Sequence, residues 1–245
     1  MSLDLFLGYD SREPIAFWVA AHSFTRRSSI PLAIHPLVQP QLRMLGCYTR
    51  QRGTTESTEF SMTRFLVPYL MDYKGWALFA DSDVLCLTDI ADLWREVERQ
   101  PGKSVYVVQH DYTPKEGTKM DGQIQTVYAR KNWSSVMLFD CSKCTALTPK
   151  YVNEATGLQL HRFQWLNDYD IGALPMEWNV LVDEPNQTTR PPKILHYTLG
   201  GPYFRDYANC SYADRWFEEH RDMSSPPLVG QWNRAAWMVE HSEAK

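Results

Sequence analysis

The sequence predicts an α/β fold: a central sheet flanked by helices in a single domain. Three observations lead there. An apolar run, Trp76 to Ala80, bounded by Gly75, ends in two carboxylates, Asp81 and Asp83; such a run suits a strand buried on both faces of a parallel sheet. The N-terminal segment reads strand, helix, strand: Leu3–Gly8, then residues 15–26 opened by Pro14, then residues 30–37. Further short strand patterns at residues 104–110, 135–139 and 194–197 alternate with helical spacing at 60–73, 90–99 and 149–161.

The other segments are less regular. Residues 39–57 read as a polar loop over one face, and residues 111–122 as a Lys-, Gly- and Pro-bearing loop. On the 60–73 helix Phe65, Leu66, Tyr69 and Leu70 are expected to face inward. Residues 165–182 mix acids, aromatics and Gly without a clear period. The tail holds a helix over 212–221 and a Trp-rich end with Trp232 and Trp237. Without repeats or a low-complexity linker, the simplest parse of the 245 residues is one domain. Residues 1–110 form its ligand-binding half, 111–211 its catalytic half and 212–245 a helical tail.

Composition narrows the function. Apolar residues make up 44%, enough for a sizeable core, and the net charge is −4 without a basic block, which argues against nucleic-acid binding. No apolar run approaches the ~20 residues of a membrane span. The N-terminus reads as a strand instead of a signal peptide, and five cysteines without an export signal fit reduced thiols, so a cytoplasmic location is expected. Cys141 and Cys144 lack the second pair a zinc site needs.

Four segments bring polar residues to strand ends: Gly8-Tyr9-Asp10, Asp81-Ser82-Asp83, Asn132-Trp133-Ser134-Ser135, and His196 with Gly200-Gly201. In an open α/β sheet all four can crowd one edge. Residues two apart on an extended chain point the same way, so Asp81 and Asp83 can converge on one hard cation, with His196 adding a nitrogen in a set suited to Mn²⁺ or Mg²⁺. The alternatives are a solvated turn for the carboxylates and a hydrogen-bonded structural role for the histidine. Gly200 and Gly201 let backbone amides approach phosphate oxygens, or simply make a tight turn. Arg64 can reach a phosphate or form an ordinary salt bridge.

The order of these segments resembles the family 8 glycosyltransferases, retaining enzymes of the GT-A fold, from Leu5 to about Trp216. Residues 78–85 with 89–94 resemble that family's Asp-x-Asp segment and the helix after it. Thr63-Arg64-Phe65 resembles its arginine-bearing helix, and Asn132-Trp133-Ser134-Ser135 stands where it has an Asn-Ala-Gly strand. Asp168-Tyr169-Asp170 resembles the Asp-Gln-Asp near the transferred sugar, and the segment from His196 resembles its C-terminal His-x-x-Gly motif. Whole phrases, including Leu174-Pro175-Met176-Glu177-Trp178-Asn179, also resemble sparsely characterised bacterial relatives. Tyr169 replaces the family's Gln, and the lysine expected after the histidine is missing.

The resemblance implies a GT-A, Rossmann-like central mixed sheet and a metal-dependent transferase. It would move a hexose or similar sugar from a nucleotide sugar, UDP-linked first, to an unknown saccharide, lipid-linked or small-molecule acceptor, with retention. Asp81, Asp83 and His196 would hold Mn²⁺ or Mg²⁺. Gly8, Tyr9, Asp10, Arg12, Arg64, Ser82, Gly200 and Gly201 would bind the donor, with Arg205 or the two glycine amides replacing the lysine. Asn132, Trp133, Ser134 and Ser135 would lie on the acceptor side, and Asp168 and Asp170 would stabilise the reacting sugar. The rivals are a sugar-phosphate nucleotidyltransferase, whose Gly-rich basic loop is not found after the first strand, and a non-catalytic carbohydrate-binding protein, which would not explain acids and a histidine at strand ends.

Overall fold

A computed structural model describes residues 2–53, 56–111, 130–185 and 188–225. Most of the expected loop at 111–122 and the end bearing Trp232 and Trp237 lie outside the described residues. The elements are strands β1 (Leu3–Gly8), β2 (Leu32–Leu37), β3 (Trp76–Ala80), β4 (Val84–Cys86), β5 (Val105–Val108), β6 (Val136–Asp140), β7 (Ile171–Leu174), β8 (Val180–Leu181) and β9 (Ile194–His196). The helices are α1 (Pro14–Arg27), α2 (Gln39–Met44), α3 (Val67–Leu70), α4 (Leu93–Arg99), α5 (Pro149–Glu154), α6 (Gly157–His161) and α7 (Ala213–Ser224).

The main sheet has the order β2-β1-β3-β6-β5-β7. It is mixed, as the resemblance implies, and not wholly parallel: β6 runs antiparallel to both β3 and β5, while the β1–β2, β1–β3 and β5–β7 pairs are parallel. The expected burial of β3 on both faces holds, and its period-2 alternation splits the core in two. Leu78 and Ala80 join Leu3, Leu5 and Leu7 beneath Phe17, Ala20 and Phe24 of α1. Ala77 and Phe79 join Phe6, Met137 and Phe139 on the other face, covered by Phe65, Val67, Val152 and Leu160. A smaller sheet, β4-β9-β8, packs its Leu85, Leu195 and Val180 with Val19 of α1 and Trp216 of α7.

Several expectations change in detail. The 60–73 helix is a 3₁₀ turn (Thr63–Leu66) followed by one short turn, α3, with Pro68 in it. The backbone then takes positive φ at Asp72 and Tyr73, which ends the helix, and Tyr69 is exposed instead of inward. The loop at 39–57 contains α2, and the unassigned stretch 165–182 supplies β7 and β8.

Strand order reverses between β1 and β3, because β1 connects onward to β2 on one side and pairs with β3 on the other. Ligands of such sheets bind in the crevice outside the carboxyl ends at that reversal. The β1 end delivers residues 8–13 there, and the β3 end delivers residues 81–83.

The packing predicts a graded response to truncation. Leu78→Ala, in the fully buried middle of β3, should cost about 2–5 kcal/mol. Trp18→Ala, 57% exposed on α1, should stay within about 0.5 kcal/mol. Urea denaturation of the two variants checks this.

Candidate active site

Asp81 and Asp83 follow β3 directly, and His196 ends β9. Two backbone connections fix their meeting. The Asp81 N–H donates to Ser135 O (2.9 Å) at the start of β6, and the Tyr197 N–H donates to Asp83 O (2.9 Å), extending the β4–β9 ladder that opposes Val84 to His196. His196 Nε2 lies 3.4 Å from Asp83 Oδ1 and 3.9 Å from Asp81 Oδ2. One ligand atom from each of the three residues falls within 4.8 Å of the others, the one such His/Cys/Asp/Glu group among the described residues.

The hydrogen-bond network orients the histidine. The fully buried Asn179 uses its amide nitrogen to donate to Ser135 Oγ (2.8 Å) and Asn132 O (3.2 Å), while the Ser135 hydroxyl itself donates to Asn132 O (2.7 Å). Both Asn179 donors are therefore used, and its Oδ1 must accept from His196 Nδ1 (3.1 Å). Nδ1 therefore carries a proton, and Nε2 is the ring atom turned to the two carboxylates. That is the arrangement in which an outer hydrogen bond orients a metal-ligating imidazole. Acceptors so close repel unless positive charge lies among them, so the donor set fits a hard divalent cation.

Arg64 supplies one fixed charge. Its Nη1 reaches Asp81 Oδ1 (2.7 Å) and Ser134 O (2.9 Å), and its guanidinium stacks near the rings of Phe60 and Phe79, at 5.4 and 5.0 Å. A buried ion pair broken on one side leaves an uncompensated charge at a cost of about 3–5 kcal/mol. Asp81 is thus structurally committed, whereas Asp83 faces His196.

Other residues read from the sequence have partners of their own. The Asp10 carboxylate accepts from Arg12 N (3.0 Å), Nε (3.0 Å) and Nη2 (2.8 Å) and from Glu59 N (3.1 Å). Burial opposes its charge, but these bonds prevail and hold its pKa below the ordinary value. With about four acceptor sites on a carboxylate, Asp10 shapes the loop with Arg12. Tyr9 packs edge-on against Phe17. Gly8 leaves space for Phe60, whose ring would stand 2.5 Å from an added Cβ.

Among residues 132–135, Asn132 adopts a left-handed φ of 64°, Trp133 Nε1 donates to His110 O (3.1 Å), and Ser134 Oγ pairs with His161 Nδ1 (2.7 Å). Each of the four residues thus has a partner within the protein. The Ser82 hydroxyl is buried and has no partner among the described residues. The Gly200 N–H donates to Tyr197 O (2.9 Å), and an added Cβ at Gly201 would stand 2.1 Å from the Tyr203 ring. These glycines accommodate the protein's own tyrosines, and Arg205 is exposed.

Asp168 and Asp170 are not brought to the cluster. They form the turn before β7, and β7 runs parallel to β5, so the chain delivers them to the amino edge of the sheet. Ser104 N donates to Asp170 O (2.8 Å), placing this turn beyond the start of β5. The four residues from there to Val108 span roughly 13 Å. Asp168 is 80% exposed and pairs with Arg130, and Asp170 accepts from Asn167.

Sequence reading missed Glu13, Asn179 and His110. Glu13 is buried at the start of α1 and accepts from Tyr203 Oη (2.8 Å). Burial first, then the charge of Asp83, pushes its pKa up to about 8. Its only signal in the sequence was a place just before Pro14.

A relative places the chain. It is 52% identical over 222 residues to Protein CDI of Arabidopsis thaliana, covering 88% of this chain and 85% of that protein. The chain belongs to the Protein CDI family. No established family profile matches the sequence. Among solved structures, the galactosyltransferase LgtC, in complex with donor and acceptor sugar analogs, superposes with a TM-score of 0.59 at 14% identity, over 92% of this chain and 98% of that one. The glycosyltransferase GlyE of Streptococcus pneumoniae gives 0.59 at 16% identity, over 91% and 62%. The bifunctional glycosyltransferase WbbM gives 0.56 at 16% identity over 90% of this chain, which spans only half, 50%, of WbbM's length. At such identities the likeness is one of fold: the mixed sheet and its helices are those of GT-A glycosyltransferases. Among the described residues no helix is long and apolar enough to cross a membrane.

Two outcomes follow from the network. Asn179→Ala frees the imidazole of His196 and should weaken Mn²⁺ binding about 10–100-fold by calorimetry. Glu13 has a folded pKa raised above its ordinary value, so the folded state binds the extra proton. Its contribution to stability is full below about pH 4.5 and is lost as pH rises toward about 8. In metal-free protein, Glu13→Gln should remove that decline, at most about 1.4 kcal/mol per pH unit, from denaturant-derived stabilities.

Proposed function

We propose that the protein is a metal-dependent glycosyltransferase that moves a hexose or similar sugar from a nucleotide sugar, UDP-linked first, to a saccharide, lipid-linked or small-molecule acceptor. The observation that carries this reading is the Asp81–Asp83–His196 group at the sheet reversal, with Nε2 of His196 turned toward the carboxylates by Asn179. The fold shared with glycosyltransferases, one of them solved with donor and acceptor sugar analogs, supports it.

Asp81, Asp83 and His196 would hold Mn²⁺ or Mg²⁺. Such an ion, when bound, neutralises charge developing on a leaving diphosphate. Arg64, already fixed by Asp81 and by two aromatic rings, adds a permanent positive charge beside that group at no reorganisation cost. The Ser82 hydroxyl, buried without a partner among the described residues and between the two carboxylates in the chain, would be a further polar contact for the donor. Retention of configuration is carried over from the resemblance to retaining enzymes. Asp168 and Asp170 receive no step here, because they stand at the other sheet edge.

The test is release of nucleoside diphosphate from a panel of UDP- and GDP-sugars with and without Mn²⁺. Asp83→Asn is the cleaner probe, since Asp81→Asn would strand the buried charge of Arg64. Wild-type protein should release diphosphate in a Mn²⁺-dependent manner, and Asp83→Asn should lower the rate by roughly a hundred-fold or more with its melting temperature maintained. Metal-independent turnover, or an unaffected Asp83→Asn variant, contradicts the reading.

A further inference from the structure

His110 follows β5 at the same sheet edge as Asp81 and Ser135, and nothing above gives its side chain a role. The register puts it there: Val107 opposes Met137 of β6, which opposes Phe79 of β3. The residue is 5% exposed. Its ring makes a hydrogen bond with the backbone of Asn179 and lies within the electrostatic reach of His196. The Asn179 N–H is already used by Met176 O (3.2 Å), so the backbone partner is the Asn179 carbonyl. The imidazole must therefore donate to it.

His110 Nε2 is buried and has no hydrogen-bond partner among the described residues. The donating nitrogen is thus Nδ1, and in the neutral ring Nε2 presents a bare lone pair. Burial first, then the charge of His196, pushes the pKa down to about 4 against the pull of the Asn179 carbonyl, so the ring is neutral near pH 7. A buried acceptor without a donor carries a desolvation penalty and calls for an explanation. His110 is not part of the three-residue group whose ligand atoms lie within 4.8 Å of one another. A neutral donor group suits it better than a cation. The Ser82 hydroxyl, also buried without a partner, lies on the same edge. Two unfilled polar atoms beside a metal-type cluster fit a ligand rich in hydroxyls.

We propose that His110 is a sugar-selecting residue of this site, its Nε2 accepting a hydrogen bond from a hydroxyl of the sugar carried by the nucleotide donor. The assignment rests on the glycosyltransferase reading and deepens it. A site built to bond a hydroxyl discriminates strongly against the analogue that lacks it, because the buried acceptor is then left unpaired.

The experiment measures Mn²⁺-supported binding of UDP and GDP, then of UDP-glucose, UDP-galactose, UDP-N-acetylglucosamine and GDP-mannose, to wild-type, His110→Phe and His110→Gln proteins by calorimetry. For the nucleotide sugar that wild-type protein binds more tightly than the bare diphosphate, His110→Phe should lose about ten-fold or more, the loss of one hydrogen bond to a buried group. The bare diphosphate should change no more than about two-fold, and His110→Gln, which keeps an acceptor near the Nε2 position, should recover part of the loss. Equal losses for sugar conjugate and diphosphate, no loss at all, or no gain from the sugar in wild-type protein overturns the assignment while leaving the diphosphate site intact. Absence of Mn²⁺-dependent diphosphate binding by wild-type protein instead contradicts the underlying reading, and the assignment with it. If His110→Phe fails to fold, monodeoxy analogues of the same nucleotide sugar decide on wild-type protein alone: one position should lose about ten-fold, and uniform affinity across the series overturns the proposal.

Discussion

Two carboxylates held at one point, with an imidazole nitrogen turned to them, repel each other, and the architecture of the site holds them in that position. The repulsion is contained from three directions. Backbone ladders fix where Asp81, Asp83 and His196 emerge: the first against Ser135, the others through the β4–β9 pair. Asn179, with both its own donors used elsewhere, accepts from Nδ1 and so orients the ring of His196. Arg64 neutralises Asp81 from a position beside the rings of Phe60 and Phe79. A cation shared among the three ligand atoms would turn this stored repulsion into attraction.

That constraint also draws in residues with the look of substrate contacts. Asn132 through Ser135 supply carbonyls and hydroxyls to Arg64, Asn179, Asp81 and His161. The glycines after His196 make room for Tyr203 and Tyr207, and Tyr203 in turn ties that loop to Glu13 at the start of α1. Loops from β1, β3, β6 and β9 are thereby locked to one another at a single sheet edge. A transferase of this kind would gain pre-organisation from that locking, since charges already fixed need no rearrangement when a diphosphate leaves.

The legible part of the fold and site was the local part. The apolar strand ending in Asp81 and Asp83, the proline-started helix α1, and His196 at the end of a short strand each announce themselves within a few residues. Asp168 and Asp170 did not, because which sheet edge a turn reaches depends on strand direction. β7 lies parallel to β5, and that pairing joins segments 66 positions apart, from Val105 to Ile171. The unbroken helix expected at 60–73 failed for a local reason, a 3₁₀ turn and positive φ at Asp72 and Tyr73. Asn179, His110 and Glu13 were invisible as functional residues since their meaning lies in burial and in partners remote in sequence. Asn179 stood inside a phrase that resembled relatives, but only the geometry shows that it orients a histidine.

The most direct test of the central claim is the anomalous scattering of Mn²⁺ in crystals of the protein grown with Mn²⁺ and UDP. The account predicts one strong peak among Asp81, Asp83 and His196 Nε2, at distances of about 2.0–2.3 Å, with diphosphate oxygen among its remaining ligands. A peak elsewhere, or UDP bound at this sheet edge with no metal between it and the carboxylates, would contradict it.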